Sequence, residues 1–412
     1  MSHIIDADIQ GLAGKKGSTQ ISFDRSLNIV YGPNGTGKTS LLKILHGALA
    51  GEAESLLNVP FVHATVRFYS RTHDAIYTRT LDKAVLTDKG LLPAKRALGS
   101  KNTSLRSADQ KPEVAWRETE SNSTRSANLP AIEDRPTTGD SRLARFAHRY
   151  LPTTRLYVNT GAGQSTLTDS TLPFGWSQVA GAQLTEETLD KNFADALQRL
   201  WGSYTSDVGR SVRIAQAKGL ANILKAVMSG DRLAPQTKVT LDLQLAYDSA
   251  RQFLERQGSQ NILGTFPAFV EQYNSDPSLQ AVVQDIYNVE REIEAVTHPQ
   301  KRLEDLIQRL YSGNKKLIFS EKAITVESDN GDQIGLESLS SGEKQLMRIS
   351  VECLGAGPNS ILIDEPEISI HIDWQRELMA ILRSLNDEAQ FIVATHSPEI
   401  MAEILDERLI LL

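Results

Sequence analysis

The sequence contains one cysteine and no long apolar run. A lone Cys353 excludes an intrachain disulfide and a cysteine-based zinc site, and its apolar helical surroundings predict a buried structural thiol. No stretch of about 18 apolar residues is present, which argues against a membrane-spanning helix. The first residues include Asp6 and Asp8 and lack a basic start followed by an apolar core, so we expect no secretory signal and a cytoplasmic protein.

The chain also lacks an excess of positive charge. Its 412 residues carry a net charge of −7, with 40% hydrophobic and 23% charged residues, which is typical of a globular protein with two or three domains. This charge argues against a surface that is basic throughout, so general coating of nucleic acid is not the expected function. The stretch 95–149 has a local excess of Lys and Arg, which suits either a solvated loop or contact with nucleic acid or an acidic partner.

A glycine-rich loop lies near the start of the chain. Residues 32–39 fit the pattern GxxxxGK[ST], with a strand-like run before them and a predicted helix over 40–46 after them. Backbone N–H groups of such a loop hold phosphates, Lys38 reaches the β and γ phosphates of ATP, and Thr39 is placed to coordinate Mg²⁺. The predicted nucleotide-binding residues of this loop are Asn34, Gly35, Thr36, Gly37, Lys38, Thr39 and Ser40.

Two acidic residues end an apolar run at 360–365. A buried parallel strand that delivers carboxylates to the carboxyl edge of its sheet has this pattern. We predict that Asp364 holds Mg²⁺ through its water shell and that Glu365 polarises the attacking water as general base. The alternative is a strand that is followed by an exposed acidic turn.

A Ser-Gly-Glu sequence precedes a predicted helix over 344–354. Serine and glycine at a helix start offer N–H groups, a hydroxyl and a favourable helix dipole to an anion, although the same residues can be a simple N-cap. Beside a phosphate loop and an acidic strand end, we interpret Ser341, Gly342 and Glu343 as a second phosphate-binding element.

The remaining sequence predicts strands at both ends and helices between them. We expect an antiparallel pair over 62–69 and 75–81, a polar flexible insertion over 99–140, a short helix with Arg142, Arg145 and Arg149 on one face, and a central strand over 155–160. The segment 184–312 is mainly helical, with an interruption at Pro299, and strands return at 316–319 and 323–327. Segments 1–160 and 315–412 then form one discontinuous nucleotide-binding domain, and 184–312 forms an inserted helical subdomain.

The order of these motifs resembles that of ABC-type ATPase heads, which are related to the SMC and Rad50 proteins. The motifs are the phosphate loop, Ser341-Gly342-Glu343, Asp364-Glu365 and Thr395-His396-Ser397-Pro398. The resemblance implies an α/β fold, with a mixed β-sheet sandwiched by helices, an antiparallel β lobe and a large, mainly helical insertion. It also implies a homodimer or higher homo-oligomer in which Ser341 and Gly342 cap the γ phosphate held by the other subunit. His396 would contact the γ phosphate, unless it is only a satisfied histidine at a strand end.

The stretches 364–371 and 394–399 resemble more closely the OLD and RecF-like stand-alone ATPases, which include subunits of anti-phage systems such as PARIS, Gabija and Septu. This resemblance covers 1–80 and 315–412. It implies a glutamine that senses Mg²⁺ after a strand of the first lobe, for which Gln164 is the best candidate. No nuclease motif is apparent, so a nuclease or TOPRIM-like effector would be a separate chain.

Three functions compete at this point. The first is an ATPase that senses or scaffolds in anti-phage defence, with a separate effector and with DNA or a phage protein as a possible trigger. The second is a RecF-like DNA repair ATPase, which the arginines at 142–149 favour and the acidic net charge disfavours. The third, a transporter subunit, is disfavoured because Thr39 and Leu339 are separated by far more chain than the phosphate loop and signature of such subunits.

Overall fold

The computed structural model describes residues 2–83, 116–121, 146–153, 186–228, 242–256, 258, 263–311 and 315–412. In chain order the strands are β1 (His3–Gln10), β2 (Ser18–Ser22), β3 (Leu27–Tyr31), β4 (His63–Ser70), β5 (Ala75–Asp82), β6 (Arg117–Ser121), β7 (His148–Leu151), β8 (Lys315–Phe319), β9 (Ile324–Ser328), β10 (Gln333–Ile334), β11 (Ser360–Asp364), β12 (Gln390–Thr395) and β13 (Leu409–Leu411). The helices are α1 (Lys38–Ala50), α2 (Glu186–Met228), α3 (Leu243–Arg256), α4 (Phe266–Ser275), α5 (Pro277–Leu310), α6 (Ser341–Gly355), α7 (Ile372–Leu385) and α8 (Pro398–Met401).

The central sheet has the strand order β13-β3-β12-β11-β7, and all of its pairings are parallel. Its inner strands β11 and β12 are buried along their whole length, which explains why their sequences are continuous apolar runs. Parallel strands end at the same edge of a sheet, so the residues that follow β3, β7, β11 and β12 lie close together there. That edge carries the candidate site.

Both faces of the central sheet are covered. Val30, Leu362 and Ile392 point into a core that they share with α1 and with β1, β4 and β5. Ile29, Ile361 and Val393 point the other way, into a core built by α2, α5, α6 and α7. The alternation follows from the two-residue period of a strand. The expected α/β head, with helices on the sheet and a separate antiparallel lobe, is confirmed.

The antiparallel lobe has the strand order β2-β1-β4-β5-β6. The predicted pair over 62–69 and 75–81 is confirmed as β4 and β5. One expectation is wrong here: part of the polar stretch 99–140 is ordered, because Trp116 is buried, its Nε1 donates to Glu52 O, and β6 follows it. The buried Arg79 guanidinium pairs with Glu118 and thereby attaches β6 to β5. The rest of 99–140 lies outside the described residues.

The helices predicted within 184–312 are present. Helix α2 docks on the β8–β9 hairpin, where the fully buried Trp201 donates from Nε1 to Ser320 O at 2.7 Å. A hairpin turn over 329–332 joins β9 to β10. How the chain divides into domains stays a prediction.

Helix α5 does not break at Pro299, so the predicted interruption is wrong. Proline lacks an N–H, which leaves the carbonyl of Ala295 without its usual helical donor. The helix continues because it is packed on both sides of this point: Val289 and Ile293 contact α2, and Leu303 and Ile307 lie in the core of the head. Tertiary burial therefore outweighs the local cost of the proline.

Arg149 lies in strand β7, so the short helix predicted there is wrong. Its residues 148–151 pair with β11 from His148↔Ser360 to Leu151↔Ile363. Arg142, Arg145 and the strand predicted over 155–160 lie outside the described residues. The side chain of Arg149 lies 3.7 Å from Glu352 and donates to Gly355 O.

The structure also bears on the lone cysteine and on the question of a membrane-spanning helix. Cys353 is fully buried, its Sγ lies 3.4 Å from Leu382 O, and burial raises the pKa of its thiol, as expected of a structural cysteine. In the parts of the chain that the structure describes, no helix is both long and apolar enough to cross a membrane.

Candidate functional site

The phosphate loop connects β3 to α1 at the carboxyl edge of the central sheet. Three of its glycines, Gly32, Gly35 and Gly37, have positive φ angles of 153°, 83° and 106°. A Cβ on Gly32 would lie 2.7 Å from Leu412 O, which excludes a side chain there on steric grounds as well, whereas one on Gly37 would make a tight contact of 3.0 Å with Leu12. Asn34 and Gly35 are exposed at the loop tip, and Thr36 Oγ1 donates to Pro33 O.

Lys38 is the first residue of α1, and only 5% of its surface is exposed. Its Nζ donates to Gly32 O at 2.8 Å and to Pro33 O at 3.2 Å. Burial lowers the pKa of Lys38, and the carboxylates of Glu365, Asp364 and Glu367 partly oppose this effect. The ammonium is thus held by backbone carbonyls of the loop, with three carboxylates near enough to act on its charge.

Asp364 is the last residue of β11, and its carboxylate contacts Thr39, the residue after Lys38. Thr39 Oγ1 donates to Asp364 Oδ1 at 3.1 Å, while Asp364 Oδ2 is buried and accepts no hydrogen bond from any described residue. Burial raises the pKa of Asp364, and Thr153, Thr39 and Lys43 lower it in part.

These oxygen atoms fit a magnesium ion that arrives with a nucleotide. Mg²⁺ prefers oxygen ligands and usually takes only one or two from the protein, with phosphates and water completing its shell. A hydroxyl, Thr39 Oγ1, and an unsatisfied carboxylate oxygen of Asp364 stand side by side here. Within the described ranges no cluster of three His, Cys, Asp or Glu residues suits a metal held by protein alone.

Glu365 follows Asp364 in an unusual backbone conformation. Its φ of 48° is left-handed, which costs a non-glycine residue about 1–3 kcal/mol, and its N–H donates to Ala394 O at 2.8 Å. Its Oε1 lies 3.3 Å from His396 Nε2. The turn therefore separates the two acids: Asp364 meets the start of α1, and Glu365 meets His396.

His396 follows β12 and lies between a cation and a carboxylate. Its Nδ1 is 3.4 Å from Lys38 Nζ, and its opposite ring nitrogen faces Glu365. The backbone N–H of His396 donates to Glu367 Oε1 at 2.7 Å, and the next residue, Ser397, donates to Gln375 Oε1. The structure thus brings together Lys38, Thr39, Asp364, Glu365 and His396, as their sequence motifs predict.

The Ser-Gly-Glu element begins helix α6, but its N-cap is the preceding residue. Ser340 N donates to Glu343 Oε2 at 2.6 Å, and Glu343 N donates to Ser340 Oγ at 3.3 Å, which is a capping box. The carboxylate of Glu343 therefore satisfies the helix end. Ser341 is exposed, and a Cβ on Gly342 would lie 2.5 Å from Ser369 O.

The same element is separate from the phosphate loop of its own chain. No hydrogen bond or ion pair among the described residues joins 341–343 to 32–40. Instead, Tyr311 Oη donates to Glu343 O at 2.7 Å, and the buried Lys344 forms an ion pair of 2.6 Å with the half-buried Asp190 of α2. The start of α6 is thus anchored to the helical region.

Three residues near the site were not singled out from the sequence. Glu367 holds the backbone of His396, Gln375 holds Ser397, and Thr153 lies against Asp364. Thr153 could have been found from the sequence by its position just after a strand of the parallel sheet, but only once β7 was recognised as such a strand. Gln164, predicted to sense Mg²⁺, lies outside the described residues, and Ser40 lies half-buried in the first turn of α1.

Comparisons with known families and proteins agree with this geometry. Residues 8–145 match a family model described as an AAA domain, and residues 234–402 match one described as an AAA domain, putative AbiEii toxin, type IV TA system. The retron Vc95 probable ATPase of Vibrio cholerae serotype O1 biovar El Tor is 27% identical over 139 residues. That alignment spans 30% of this chain and 27% of the relative, so most of the relative's length is not covered.

Solved structures with a similar arrangement include two SMC heads. The Smc head domain of Pyrococcus furiosus with an extended coiled coil, bound to the C-terminal domain of ScpA, is 13% identical, with a TM-score of 0.41 over 98% of this chain and 92% of that one. The SMC head domain of Thermotoga maritima is 12% identical, with a TM-score of 0.38 over 97% and 91%. Its motifs, their shared position at the sheet edge and the two matching AAA-domain models identify the chain as an ATPase with AAA-domain sequence, part of which resembles the retron ATPase.

Proposed function

We propose that this chain hydrolyses ATP with Mg²⁺ between two heads of a dimer and thereby controls a separately encoded effector in anti-phage defence. The observation that carries the proposal is the convergence of Lys38, Asp364, Glu365 and His396 at one sheet edge, with Ser341 outside that cluster. Among the described residues, the cluster therefore holds groups that can bind phosphate and Mg²⁺, while the signature element lies outside it.

Each side chain of the cluster has a role that fits its position. The loop N–H groups and Lys38 bind the phosphates, and Thr39 and Asp364 hold Mg²⁺. When bound, Mg²⁺ neutralises charge on the phosphate oxygens. Glu365 accepts a proton from the attacking water, which then bonds to the γ phosphorus as the bond to the ADP oxygen breaks. His396, next to Glu365, donates a hydrogen bond to the γ phosphate.

The dimer is inferred from the signature residues. Ser341 is exposed at the start of α6, where N–H groups and the helix dipole favour an anion, yet it does not reach its own phosphate loop. Two copies related by a two-fold axis would place the Ser341 of each against the ATP of the other. Two composite sites result from one interface.

We expect Ser341→Arg to block head association while leaving ATP binding to the single chain unchanged. The arginine is large and sits at the proposed interface, but Ser341 makes no contact with the phosphate loop. Sedimentation with ATP and direct titration of ATP measure the two properties. Ser338→Arg, in the turn before the same helix, is the matched control for added size and charge. Unchanged hydrolysis by Ser341→Arg would mean that the sites are not shared.

The defence role is supported by the retron ATPase relative and by the resemblance to stand-alone defence ATPases. We expect the native chain to co-purify with a second protein and its deletion to raise phage susceptibility. Complementation with Lys38→Ala should not restore protection, whereas Lys16→Ala, an exposed lysine on the same lobe, should. Recovery of the chain alone together with unchanged susceptibility would overturn this role.

The alternative, a RecF-like DNA repair ATPase, has less support. Of the arginines that suggested it, Arg149 lies near Glu352 and is bonded to Gly355 O. ATP turnover that rises with duplex ends, and DNA binding that weakens steeply with salt, would favour this function over the defence role.

A further inference from the structure

A large cavity opens at the edge of the central sheet that lies opposite the candidate nucleotide site. Its volume is about 1120 Å³, and its walls come from α2, α5, the end of α6 and the segments around Pro358 and Asn386. Arg149, near the start of β7, and Pro358, just before β11, place the cavity where the parallel strands begin. Because Asp364 and His396 lie at the other ends of the strands, the cavity is separate from their site.

Two residues that line this cavity carry buried polar atoms without hydrogen bonds. The side chain of Glu352, on α6, is only 7% exposed, and its Oε2 accepts no hydrogen bond from any described residue. The hydroxyl of Tyr204, on α2, is also buried and has no hydrogen bond in the described structure. Burial raises the pKa of Tyr204 to about 12, so this hydroxyl stays protonated. Buried polar groups are costly to leave unsatisfied, so the two atoms point to an occupant that satisfies them.

Arg149 lies beside Glu352 but does not satisfy it. Its Nε is 3.7 Å from Glu352 Oε2, which is beyond hydrogen-bond distance, and its Nη2 donates to Gly355 O at 3.3 Å. Burial raises the pKa of Glu352, and the charges of Arg149 and Arg348 oppose this effect. A cationic donor at closer range than Arg149 would therefore favour the ionised carboxylate.

The walls of the cavity favour a cation that is carried on an aliphatic stem. Helices α6 and α7 end here, at Gly355 and Leu385, and the C-terminus of a helix favours positive charge. Apolar side chains such as Leu200, Val296 and Leu354 can pack against CH₂ groups while a polar head reaches Glu352. Acidic residues outnumber basic ones among the lining residues, which include Asp207, Glu352, Asp387, Glu388, Arg149 and Arg199.

Other simple occupants fit this cavity less well. A metal ion needs several protein or water ligands at close range, and within the described ranges no cluster of three His, Cys, Asp or Glu residues suits one. An anion would be repelled by the ionised carboxylate of Glu352 and by the acidic residues around it. An organic cation matches the charge, the apolar walls and the volume together.

We propose that this cavity binds an organic cation, in which a primary ammonium or guanidinium group on an aliphatic stem donates hydrogen bonds to Glu352 and to the Tyr204 hydroxyl. Polyamines carry this chemistry, and so do the side chains of lysine and arginine. Because Glu352 belongs to α6 and Tyr204 to α2, one ligand contacts both the head and the helical region. Its binding therefore stabilises the packing of α2 on the head.

The test titrates two probes into the full chain by calorimetry. Spermidine represents a free polyamine, and an acetylated, amidated tripeptide with a central arginine represents a basic side chain. Nucleotide is left out because ATP itself attracts polyamines, so the outcome is independent of the proposed function. We expect at least one probe to bind the wild type, and the probe that binds identifies the source of the cation. Glu352→Gln should weaken that binding about 10-fold or more, because hydrogen bonds to a charged group are lost.

A second variant keeps the test decisive if Glu352→Gln does not fold. Tyr204→Phe removes only a hydroxyl that is unsatisfied in the described structure, so it should fold as the wild type does and bind the same probe about 2–10-fold more weakly. Glu403→Gln, at an exposed acid outside the cavity, makes the same change in net charge as Glu352→Gln and should bind as the wild type does. Failure of both probes to bind the wild type would overturn the inference, and so would equal losses of affinity in Glu352→Gln and Glu403→Gln.

Discussion

Lys38→Ala is expected to lose ATP binding. The ammonium of Lys38 is buried at the phosphate loop and therefore desolvated, and this burial lowers its pKa. A desolvated cation that meets the β and γ phosphates contributes more than an exposed one, and removing one partner of such a pair costs about 2 kcal/mol or more, roughly 30-fold in Kd. Titration with ATP and Mg²⁺ measures this loss.

The control is Lys16→Ala, which removes an exposed lysine of the same lobe. It should bind ATP as the wild type does. The fold of Lys38→Ala should persist, because the alanine also removes the cost of burying a charge, and the groups that lose a neighbour are the carbonyls of Gly32 and Pro33 and the His396 ring. An unchanged Kd for ATP in the folded Lys38→Ala variant would show that the glycine-rich loop is not the phosphate site.

Glu365→Gln is expected to bind ATP but to hydrolyse it about 10²–10⁴-fold more slowly, which is the usual contribution of a general base. Glutamine has the same shape and can keep a hydrogen bond to His396, but its amide cannot accept the proton of the attacking water. The left-handed backbone at this position suits glutamine as well as glutamate, so the turn should be retained. Single-turnover release of phosphate measures the rate.

A second consequence of this variant is a trapped dimer. If hydrolysis separates the heads, Glu365→Gln should stay associated with ATP bound, which light scattering after gel filtration detects. Glu403→Gln, an exposed acid after α8, is the matched control and should turn over ATP normally. Equal turnover in Glu365→Gln and wild type would remove Glu365 as the general base.

The site was predictable from the sequence because its motifs are local. Each chemical group lies at the end of a buried strand or in the loop that follows it, and a parallel sheet brings strand ends together without further information. Lys38, Asp364 and His396 could therefore be placed at one edge from short patterns alone. The left-handed turn at Glu365 could not, because it depends on the bond between its N–H and the distant Ala394.

The other wrong predictions also depend on contacts between residues that lie far apart in the chain. Arginine spacing suggested a helix at 142–149, yet β7 forms because β11 offers an unpaired neighbour and not because of local preference. Trp116 stood alone in a polar stretch, and only the folded lobe supplies its burial and its acceptor on Glu52. Pro299 was taken as a helix end because local rules ignore the two cores on which α5 packs.

The ion pair between Lys344 and Asp190 has a consequence beyond stability. Lys344 is buried and Asp190 is partly exposed, so separating the two leaves a buried ammonium without its partner, and Lys344 stands next to Glu343 at the start of α6. A displacement of α2 therefore changes the energy of placing Ser341, and placing Ser341 changes the energy of moving α2. Thermodynamic linkage makes this coupling reciprocal. If Ser341 contacts ATP as proposed, a molecule that binds α2 in one of its positions alters the affinity for ATP by the same factor by which ATP alters the affinity for that molecule.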